Sequence, residues 1–283
     1  MEALAAARRA TPFERIDTRL GTVLEPSERA QLPRKWELYG DVLVLRLPAG
    51  LHARGREVAE AYAKELMART VLEDVGGVQG EHREPRMRLL HGTGTETVHR
   101  EDGLSFAFDV ARLMYSSGNN YERKRMGKVV RAGERVVDLF AGIGYFTLPM
   151  ARAGAHVRAI ERNPVAHGYL VENVRRNGLS DRVEAVLGDC REAAPVGVAD
   201  RVLLGYLGDT RRFLPTAMRA LAPGGGALHY HDACPVEAVP ARPLEEIAAA
   251  ARDAGRTLAS ASTRVVKSYA PGVVHFVTDA VVR

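Results

Sequence analysis

Short apolar runs alternate with longer amphipathic stretches through the second half of the chain. The runs that read as strands cover residues 136–140, 157–161, 183–188, 201–205 and 227–231. The intervals between them are long enough for crossover helices, and this alternation is typical of a parallel α/β sheet. A helix predicted near residues 243–254 is followed by two more strand-like runs. They cover 263–268 and 273–282 and are separated only by turn residues. The pattern therefore predicts five parallel strands closed by a hairpin, which makes a seven-stranded sheet.

The first third of the chain has a different pattern. Residues 36–47 read as strand–turn–strand, and residues 55–70 as an amphipathic helix. Two alternating runs at 95–99 and 104–109 predict a hairpin. We assign no element to the glycine-rich stretch 75–94. We predict three parts, which are a small α+β domain at 1–110, a basic connecting helix region at 111–133 and the large α/β domain at 134–283.

The most informative motif follows the first strand of the large domain. The strand ends at Asp138, and Ala141, Gly142 and Gly144 then form a tight turn before a helix-like segment. Ligands bind at the carboxyl ends of such strands, where glycine lets the backbone approach them closely. A carboxylate here repels a pyrophosphate but attracts a ligand with ammonium and sulfonium groups. The motif thus favours S-adenosylmethionine over a dinucleotide.

Two further acids strengthen this interpretation. Glu161 ends the second strand, where an acid commonly binds ribose hydroxyls, and Asp189 ends the third, where it could accept from the adenine amino group. Either residue alone would more often be a helix cap or a surface charge. Acids at three successive strand ends predict a class I S-adenosylmethionine-dependent methyltransferase-like fold, with a Rossmann-like seven-stranded sheet.

A predicted helix after residue 119 carries a second candidate cluster. Arg123, Met126 and Val130 share one helical face, so Arg123 should point inward with the apolar residues. A buried arginine needs an anion. We expect the methionine carboxylate of the cofactor in this role, with Ser116 nearby. The alternative is an internal salt bridge, to Glu122 or Asp138.

Charge points to a polyanionic partner. The net charge is +5, and residues 112–135 carry seven basic and two acidic residues, so this segment accounts for the excess. Such a cluster fits RNA, although it could also be a solvated helix face. Lys124 and Lys128 lie on the predicted outer face, and we expect them to contact RNA phosphates.

Composition excludes several other classes. The chain has no apolar run near 18 residues, and its first nine residues do not have the charge order of a signal peptide. Its two cysteines, Cys190 and Cys234, are far apart and form no C-x-x-C motif. We therefore expect a cytoplasmic protein without a membrane segment or a metal.

The loop after the fourth strand leaves the reaction open. Amino-group methylases commonly have an Asn-Pro-Pro-Tyr-like loop there, which orients the target nitrogen. Residues 202–210 read Val-Leu-Leu-Gly-Tyr-Leu-Gly-Asp-Thr and contain neither the Asn nor the Pro. The residues alone thus predict a cofactor enzyme with a non-standard target loop.

Several motifs together resemble one family, the archaeal form of the tRNA wybutosine-synthesizing protein 2 family. They lie at 32–45, in the region ending at Asp109, and at 116–126, 138–149, 161–164, 200–206 and 229–231. The sister family, the tRNA guanine-37 N1-methyltransferases, typically carries Ser-Pro-Arg and Asn-Leu-Pro where this chain has Ser-Ser-Gly-Asn and Gly-Tyr.

The resemblance implies a specific reaction. The 3-amino-3-carboxypropyl group of S-adenosylmethionine would move to the 4-demethylwyosine-type precursor at position 37 of tRNA(Phe), and methylthioadenosine would leave. It also implies a set of cofactor ligands: Ser116, Arg123, Glu161, Asp189 and Cys190, the last through its backbone. The partner would be the anticodon arm, and we expect a monomer.

Three functions stay open at this point. They are the aminocarboxypropyl transferase, a tRNA guanine-37 N1-methyltransferase, and an RNA-binding protein with a vestigial cofactor pocket. Tyr206, His229 and His231 are placed near strand ends and could act as a general base, but structural roles are more common for buried histidines. We therefore assign no catalytic base.

Overall fold

The computed structural model describes residues 9–79 and 84–283. The expectations for the first eight residues and for the middle of the 75–94 stretch lie outside this range. The chain divides into two compact units, Met1–His99 with Ala107–Tyr115 and Arg100–Phe106 with Ser116–Arg283. The domain boundaries proposed from the sequence stay a prediction.

The first unit packs helices against a small mixed sheet. Its helices and strands are α1 (Pro12–Leu20), α2 (Pro26–Arg29), β1 (Glu37–Tyr39), β2 (Val42–Leu45), α3 (Gly55–Leu66), β3 (Thr70–Gln79) and β4 (Glu84–His91). The sheet order is β1-β2-β3-β4, with β2 and β3 parallel and the other pairs antiparallel. The apolar face of α3 buries Val58 and Tyr62 in the core of this unit.

The predicted strand–turn–strand is confirmed as β1 and β2. The predicted helix ends four residues early, because Met67 adopts a left-handed conformation (φ 54°) and Thr70 begins β3. We missed β3 and β4 in the glycine-rich stretch. Gly76 and Gly77 both have positive φ where the register of the two strands shifts, so these glycines mark an irregularity inside a ladder rather than a loop.

The predicted hairpin is also present. Strands β5 (Glu96–Glu101) and β6 (Leu104–Asp109) pair as a two-stranded sheet. Their connection consists of Asp102 and Gly103, both with positive φ, as a tight two-residue hairpin turn requires.

The second unit contains one large sheet with helices. Its elements are α4 (Asn120–Val129), β7 (Arg135–Asp138), α5 (Thr147–Arg152), β8 (His156–Glu161), α6 (Pro164–Arg176), β9 (Val183–Leu187), α7 (Cys190–Ala193), β10 (Arg201–Leu204), α8 (Leu214–Ala220), β11 (Gly226–Pro235), α9 (Ala241–Asp253), β12 (Leu258–Ala270) and β13 (Val273–Val282).

The strand order within the described residues is β12-β13-β11-β10-β7-β8-β9. Strands β7 to β11 are parallel, and β13 is antiparallel to both of its neighbours. This confirms the predicted methyltransferase-like sheet. The chain leaves β7 on one side for β8 and β9 and returns on the other side with β10. A crevice at the carboxyl ends of β7 and β10 is therefore the expected ligand site.

Strand β12 is much longer than the predicted run 263–268. After Leu258, its first residues are small or polar and mostly exposed, since β12 forms an edge of the sheet. Such a strand lacks the apolar alternation by which a half-buried strand is recognised. The buried strands are different, because all four side chains of β10 are buried.

Candidate functional site

Asp138 lies behind the loop that follows β7. Its side chain is fully buried and accepts hydrogen bonds from the Thr147 hydroxyl (2.8 Å) and the Phe140 N–H (3.3 Å). Burial raises the pKa of this carboxyl to about 7. In this arrangement Asp138 joins the loop to the start of α5. Its predicted contact with a cofactor stays a prediction.

The loop itself requires glycine at two positions. Gly142 and Gly144 have φ of 56° and 100°, in the region that favours glycine. A Cβ at Gly142 would lie 2.5 Å from the Tyr145 ring, and a Cβ at Gly144 would lie 3.0 Å from the Leu148 side chain. Ala141 is fixed by its N–H, which donates to the Ile160 carbonyl (2.9 Å). The turn therefore has one narrowly defined backbone path.

Glu161 closes this loop from the end of β8. One carboxylate oxygen accepts from the Gly142 N–H and the other from the Asn163 N–H, both at 2.7 Å. A carboxylate has about four acceptor positions, so the same group can hold the loop and accept from a ligand hydroxyl. The predicted ribose ligand is thus in a fixed orientation at the carboxyl edge of the sheet.

Asp189 and Cys190 follow β9 at the same edge. Asp189 accepts from the backbone and the guanidinium of Arg191, and these bonds lower the pKa of its carboxyl to about 2. It therefore remains an ionised acceptor. Burial raises the pKa of the Cys190 thiol to about 12, which keeps the thiol neutral and fits the predicted contact through its backbone.

Arg123 points inward, as the helical spacing predicts, but its partner is one that the sequence did not indicate. Its guanidinium donates to both carboxylate oxygens of Glu101 (2.7 and 2.6 Å) and to the Ser116 carbonyl oxygen (2.7 Å). The Arg123 and Glu101 side chains are 3% and 10% exposed. The proposed salt bridges to Glu122 and Asp138 are not the ones formed. No local spacing relates Glu101 to Arg123, because Glu101 lies in the β5–β6 hairpin, 22 residues earlier.

Glu122 belongs to a separate charged network on one face of the sheet. It accepts from Arg125 and Arg264, and both arginines also donate to Asp279. This network anchors the start of α4 to β12 and β13. Asp279 also bonds to the His229 ring.

Ser116 has a second partner that sequence reasoning missed. Its hydroxyl accepts from the Lys267 ammonium group at 2.7 Å. Lys267 lies on β12, 151 residues further along the chain, so no local pattern relates the two residues. Cations thus contact Ser116 at both its carbonyl and its hydroxyl oxygen.

The two predicted RNA ligands lie along one cavity. Lys124 is half-exposed and forms an ion pair with Asp102 (2.6 Å). Lys124, Lys128 and Arg152 line a groove of about 390 Å³ between α4, α5 and the tip of the hairpin. Arg152 donates to the Asp102 carbonyl at 2.5 Å. Their RNA contacts stay a prediction.

The candidate bases are buried. His229 bonds to Asp279 through Nδ1 and to Arg201 through Nε2, and burial lowers its pKa, so it is a neutral link in a charged network. His231 Nδ1 lies 3.2 Å from His275 Nε2. Among the described residues the outer nitrogens of these two rings, His231 Nε2 and His275 Nδ1, have no hydrogen-bond partner. None of these contacts identifies a catalytic base.

An aromatic cluster also stands at the carboxyl edge. The rings of Phe140, Tyr206 and Phe213 contact one another, with centroids 4.8–5.6 Å apart. The Gly-Tyr segment after β10 therefore presents an apolar ring where amino-group methylases have polar orienting groups. In the described ranges, we find no His, Cys, Asp and Glu cluster suited to a metal and no helix that could span a membrane.

Comparison with known proteins agrees with this geometry. Residues 97–259 match the TRM5/TYW2 methyltransferase domain, and residues 16–95 match the TYW2 N-terminal domain. A Pyrococcus horikoshii protein named tRNA(Phe) (4-demethylwyosine(37)-C(7)) aminocarboxypropyltransferase is 41% identical over 88% of this chain and 89% of its own length. A Methanocaldococcus jannaschii protein of the same name is 39% identical over 87% and 97%.

Solved structures from both branches of the family are similar to this chain. The P. horikoshii TYW2 structure in complex with MeSAdo has a TM-score of 0.87 and 37% identity, covering 95% of this chain and 98% of that one. Trm5b from Pyrococcus abyssi has a TM-score of 0.84 and 30% identity, covering 98% and 82%. Because the N-terminal match is specific to TYW2, the chain belongs to the archaeal tRNA wybutosine-synthesizing protein 2 family.

Proposed function

We propose that the protein transfers the 3-amino-3-carboxypropyl group of S-adenosylmethionine to the 4-demethylwyosine-type precursor at position 37 of tRNA(Phe), with release of methylthioadenosine. The observation that carries the proposal is the glycine loop bonded to Glu161 at the switch point of the sheet. It occurs in a chain that is 41% identical to a relative with this activity in its name.

The residues at the carboxyl edge fit each part of S-adenosylmethionine. Glu161 would accept from the ribose hydroxyls while its two backbone donors hold it in place. Asp189, ionised, and the Cys190 backbone would hold the adenine. Ser116, with its two cationic neighbours, would receive the amino-acid arm.

When bound, S-adenosylmethionine supplies an electrophilic Cγ carbon next to its sulfonium sulfur. The protein's own contribution is orientation. Holding a nucleophilic base and an electrophile in reactive geometry can account for a large part of a rate enhancement, on the order of 7–11 kcal/mol. The loop fixed by Glu161 determines the position of the nucleoside part, and the turn at Ser116 determines which carbon faces the RNA.

The tRNA is held by charge outside this pocket. Lys124, Lys128 and Arg152 line one groove, and phosphates bind such groups without reading sequence. We propose that this groove contacts the anticodon arm and that the N-terminal unit, which matches the TYW2 N-terminal domain, contributes to docking. We also propose that the protein works as a monomer.

The nearest alternative is methylation of guanine 37. It is favoured by the similarity to P. abyssi Trm5b, but the Gly205-Tyr206 segment places an aromatic ring where that sister family carries Asn-Leu-Pro. A vestigial RNA-binding protein is the third candidate, and failure of the protein to bind S-adenosylmethionine in a calorimeter would favour it.

One assay separates these functions. The protein is incubated with S-adenosylmethionine and tRNA(Phe) carrying either the tricyclic precursor or unmodified guanine 37, and the small-molecule product is identified by chromatography. Methylthioadenosine, formed only with the precursor, is the expected result. S-adenosylhomocysteine with the unmodified tRNA would instead establish the methylase.

A further inference from the structure

Two aromatic side chains are exposed among the described residues. Tyr121 is 73% exposed and Tyr269 is 47% exposed, whereas every other Phe, Trp and Tyr side chain in the described ranges is at least partly buried. Both tyrosines lie in the second unit. Their positions in this unit are close to the same turn.

That turn is the one at residues 116–119. Helix α4 begins directly after it, so Tyr121 stands two residues beyond its end. From the other side, Lys267 of β12 donates to the Ser116 hydroxyl at 2.7 Å, and Tyr269 follows two residues later on the same strand. The two exposed rings therefore belong to two segments that meet at the turn proposed to receive the amino-acid arm.

The exposed face of α4 combines one ring with two positive charges. Of the ten residues in this helix, Tyr121, Lys124 and Lys128 are the three exposed ones. Their spacing of i, i+3 and i+7 places them on one face, and Lys128 stands about 10 Å along the helix axis from Tyr121. The face has no acid of its own, since Asp102, which pairs with Lys124, comes from the β5–β6 hairpin. An aromatic ring beside a row of cations is typical of surfaces that bind single-stranded nucleic acid.

Tyr269 is exposed from an irregular part of β12. Ser268 is opposite Val274 and Ala270 is opposite Val273, so Tyr269 is the extra residue of a β-bulge. Bulges change the direction of a side chain and are common beside functional sites. The direction of this ring is therefore set by the backbone of an edge strand, close to the end of the β12–β13 hairpin.

We propose that Tyr121 and Tyr269 stack on unpaired bases of the tRNA anticodon loop next to position 37. This inference rests on the proposed function. Proteins commonly recognise unpaired RNA bases by stacking them on aromatic side chains. Lys124 and Lys128 would bind phosphates of the same strand. Stacked neighbours would keep the loop open at the turn and leave the target base facing the amino-acid arm.

The first test measures affinity for tRNA(Phe) carrying the tricyclic precursor. In filter binding, Tyr121→Ala and Tyr269→Ala should each raise the Kd about 5- to 100-fold, the range expected for loss of one stacked base. Tyr121→Phe keeps the ring and should stay within about twofold of the wild-type protein. Alanine is a better helix former than tyrosine, so Tyr121→Ala does not weaken α4.

Two controls separate stacking from other causes. Val196→Ala removes apolar surface from a side chain that is also 73% exposed, five residues before β10 begins, and it should leave tRNA affinity unchanged. The salt dependence is the second control. Tyr121→Ala removes no charge, so its logarithmic salt slope should equal that of the wild-type protein, whereas loss of a phosphate contact makes the slope shallower.

A cycle with altered tRNA tests the stacking itself. The base is removed from the unpaired nucleotides on either side of position 37, one at a time, and each abasic tRNA is bound to the wild-type protein and to both alanine variants. For each tyrosine, one abasic position should weaken wild-type binding about as much as the alanine variant does. The matching variant should lose no further affinity at that position, because residues that form one contact are not additive.

Three results would overturn the inference. The first is unchanged tRNA affinity in both alanine variants, and the second is a Tyr121→Phe variant as weak as Tyr121→Ala. The third is full additivity of base removal and alanine substitution at every position. A wild-type protein that binds no tRNA, or releases no methylthioadenosine, is a different outcome, because it contradicts the proposed function itself.

Discussion

Replacement of Arg123 by methionine tests whether its pairing with Glu101 stabilises the fold. The substitution keeps the length and apolar character of the side chain and removes the charge. Three hydrogen bonds that Arg123 donates are lost, two to the Glu101 carboxylate and one to the Ser116 carbonyl. The Glu101 side chain, only 10% exposed, would be left as a buried carboxylate without this partner.

The size of the effect follows from the two states open to that carboxylate. If it stays charged, the loss of one partner from a buried ion pair typically costs about 3–5 kcal/mol. If it takes up a proton instead, the uptake at pH 7 by a glutamate of ordinary acidity costs about 3–4 kcal/mol. We therefore expect the free energy of unfolding to fall by about 3–4 kcal/mol, which corresponds to a decrease in Tm of about 5–7 °C for a chain of this size.

The pH dependence of this loss is the sharper test. Proton uptake becomes easier as the pH falls, so the deficit at pH 5 should shrink to about 1 kcal/mol. Urea unfolding at pH 5 and pH 7 measures both values, provided the m-value is unchanged. The variant Arg123→Met/Glu101→Gln should recover most of the loss at pH 7. Lys124→Met is the matched control, since its exposed pair with Asp102 should contribute less than about 1 kcal/mol.

The reasoning would be refuted by a small loss at both pH values, or by a double variant no more stable than the single one. If affinity for S-adenosylmethionine then fell while stability did not, Arg123 would be a cofactor ligand rather than a support of the turn.

Three other predictions concern the ligands and the histidine pair. Glu161→Gln should weaken the binding of S-adenosylmethionine at least about 10-fold in calorimetry, because the amide N–H₂ of the glutamine faces a backbone donor. An unchanged Kd would remove Glu161 from the site. Lys128→Met should weaken tRNA binding and make its logarithmic salt slope shallower by about 0.7–0.9, with cofactor affinity intact; an unaltered slope would contradict a phosphate contact. The pKa of His275 is lowered to about 4, against 6.5 for a free imidazole. As the pH falls, the unfolded chain therefore takes up the proton before the folded protein does. Stability should therefore be complete above about pH 6.5 and fall toward pH 4, and His275→Gln should show a shallower fall in urea titrations; an identical fall would show that other groups cause it.

The large sheet could be predicted from the sequence because its central strands are buried on both faces. Such strands appear as continuous apolar runs, and β10, with all four side chains buried, is the clearest case. The loop after β7 was equally readable, since the conformations of Gly142 and Gly144 are ones that other residues rarely adopt.

The missed strands have physical reasons of a different kind. In β3 two glycines stand where the ladder changes register, so the residue type that usually signals a loop is here part of a strand. In β12 the exposed edge removes the need for apolar residues. Both strands are held by backbone pairing with a neighbour, and backbone pairing leaves little trace in the side-chain pattern.

Helical spacing predicted correctly that Arg123 is buried, and burial requires an anion. The spacing could not identify the anion. It determines the direction of a side chain on its own helix, whereas the ion-pair partner can come from a distant part of the chain. Glu101 reaches Arg123 through a hairpin turn, and Lys267 reaches Ser116 from a bulged edge strand near the end of the chain. Both contacts join residues that are far apart in the sequence, so no local pattern relates them.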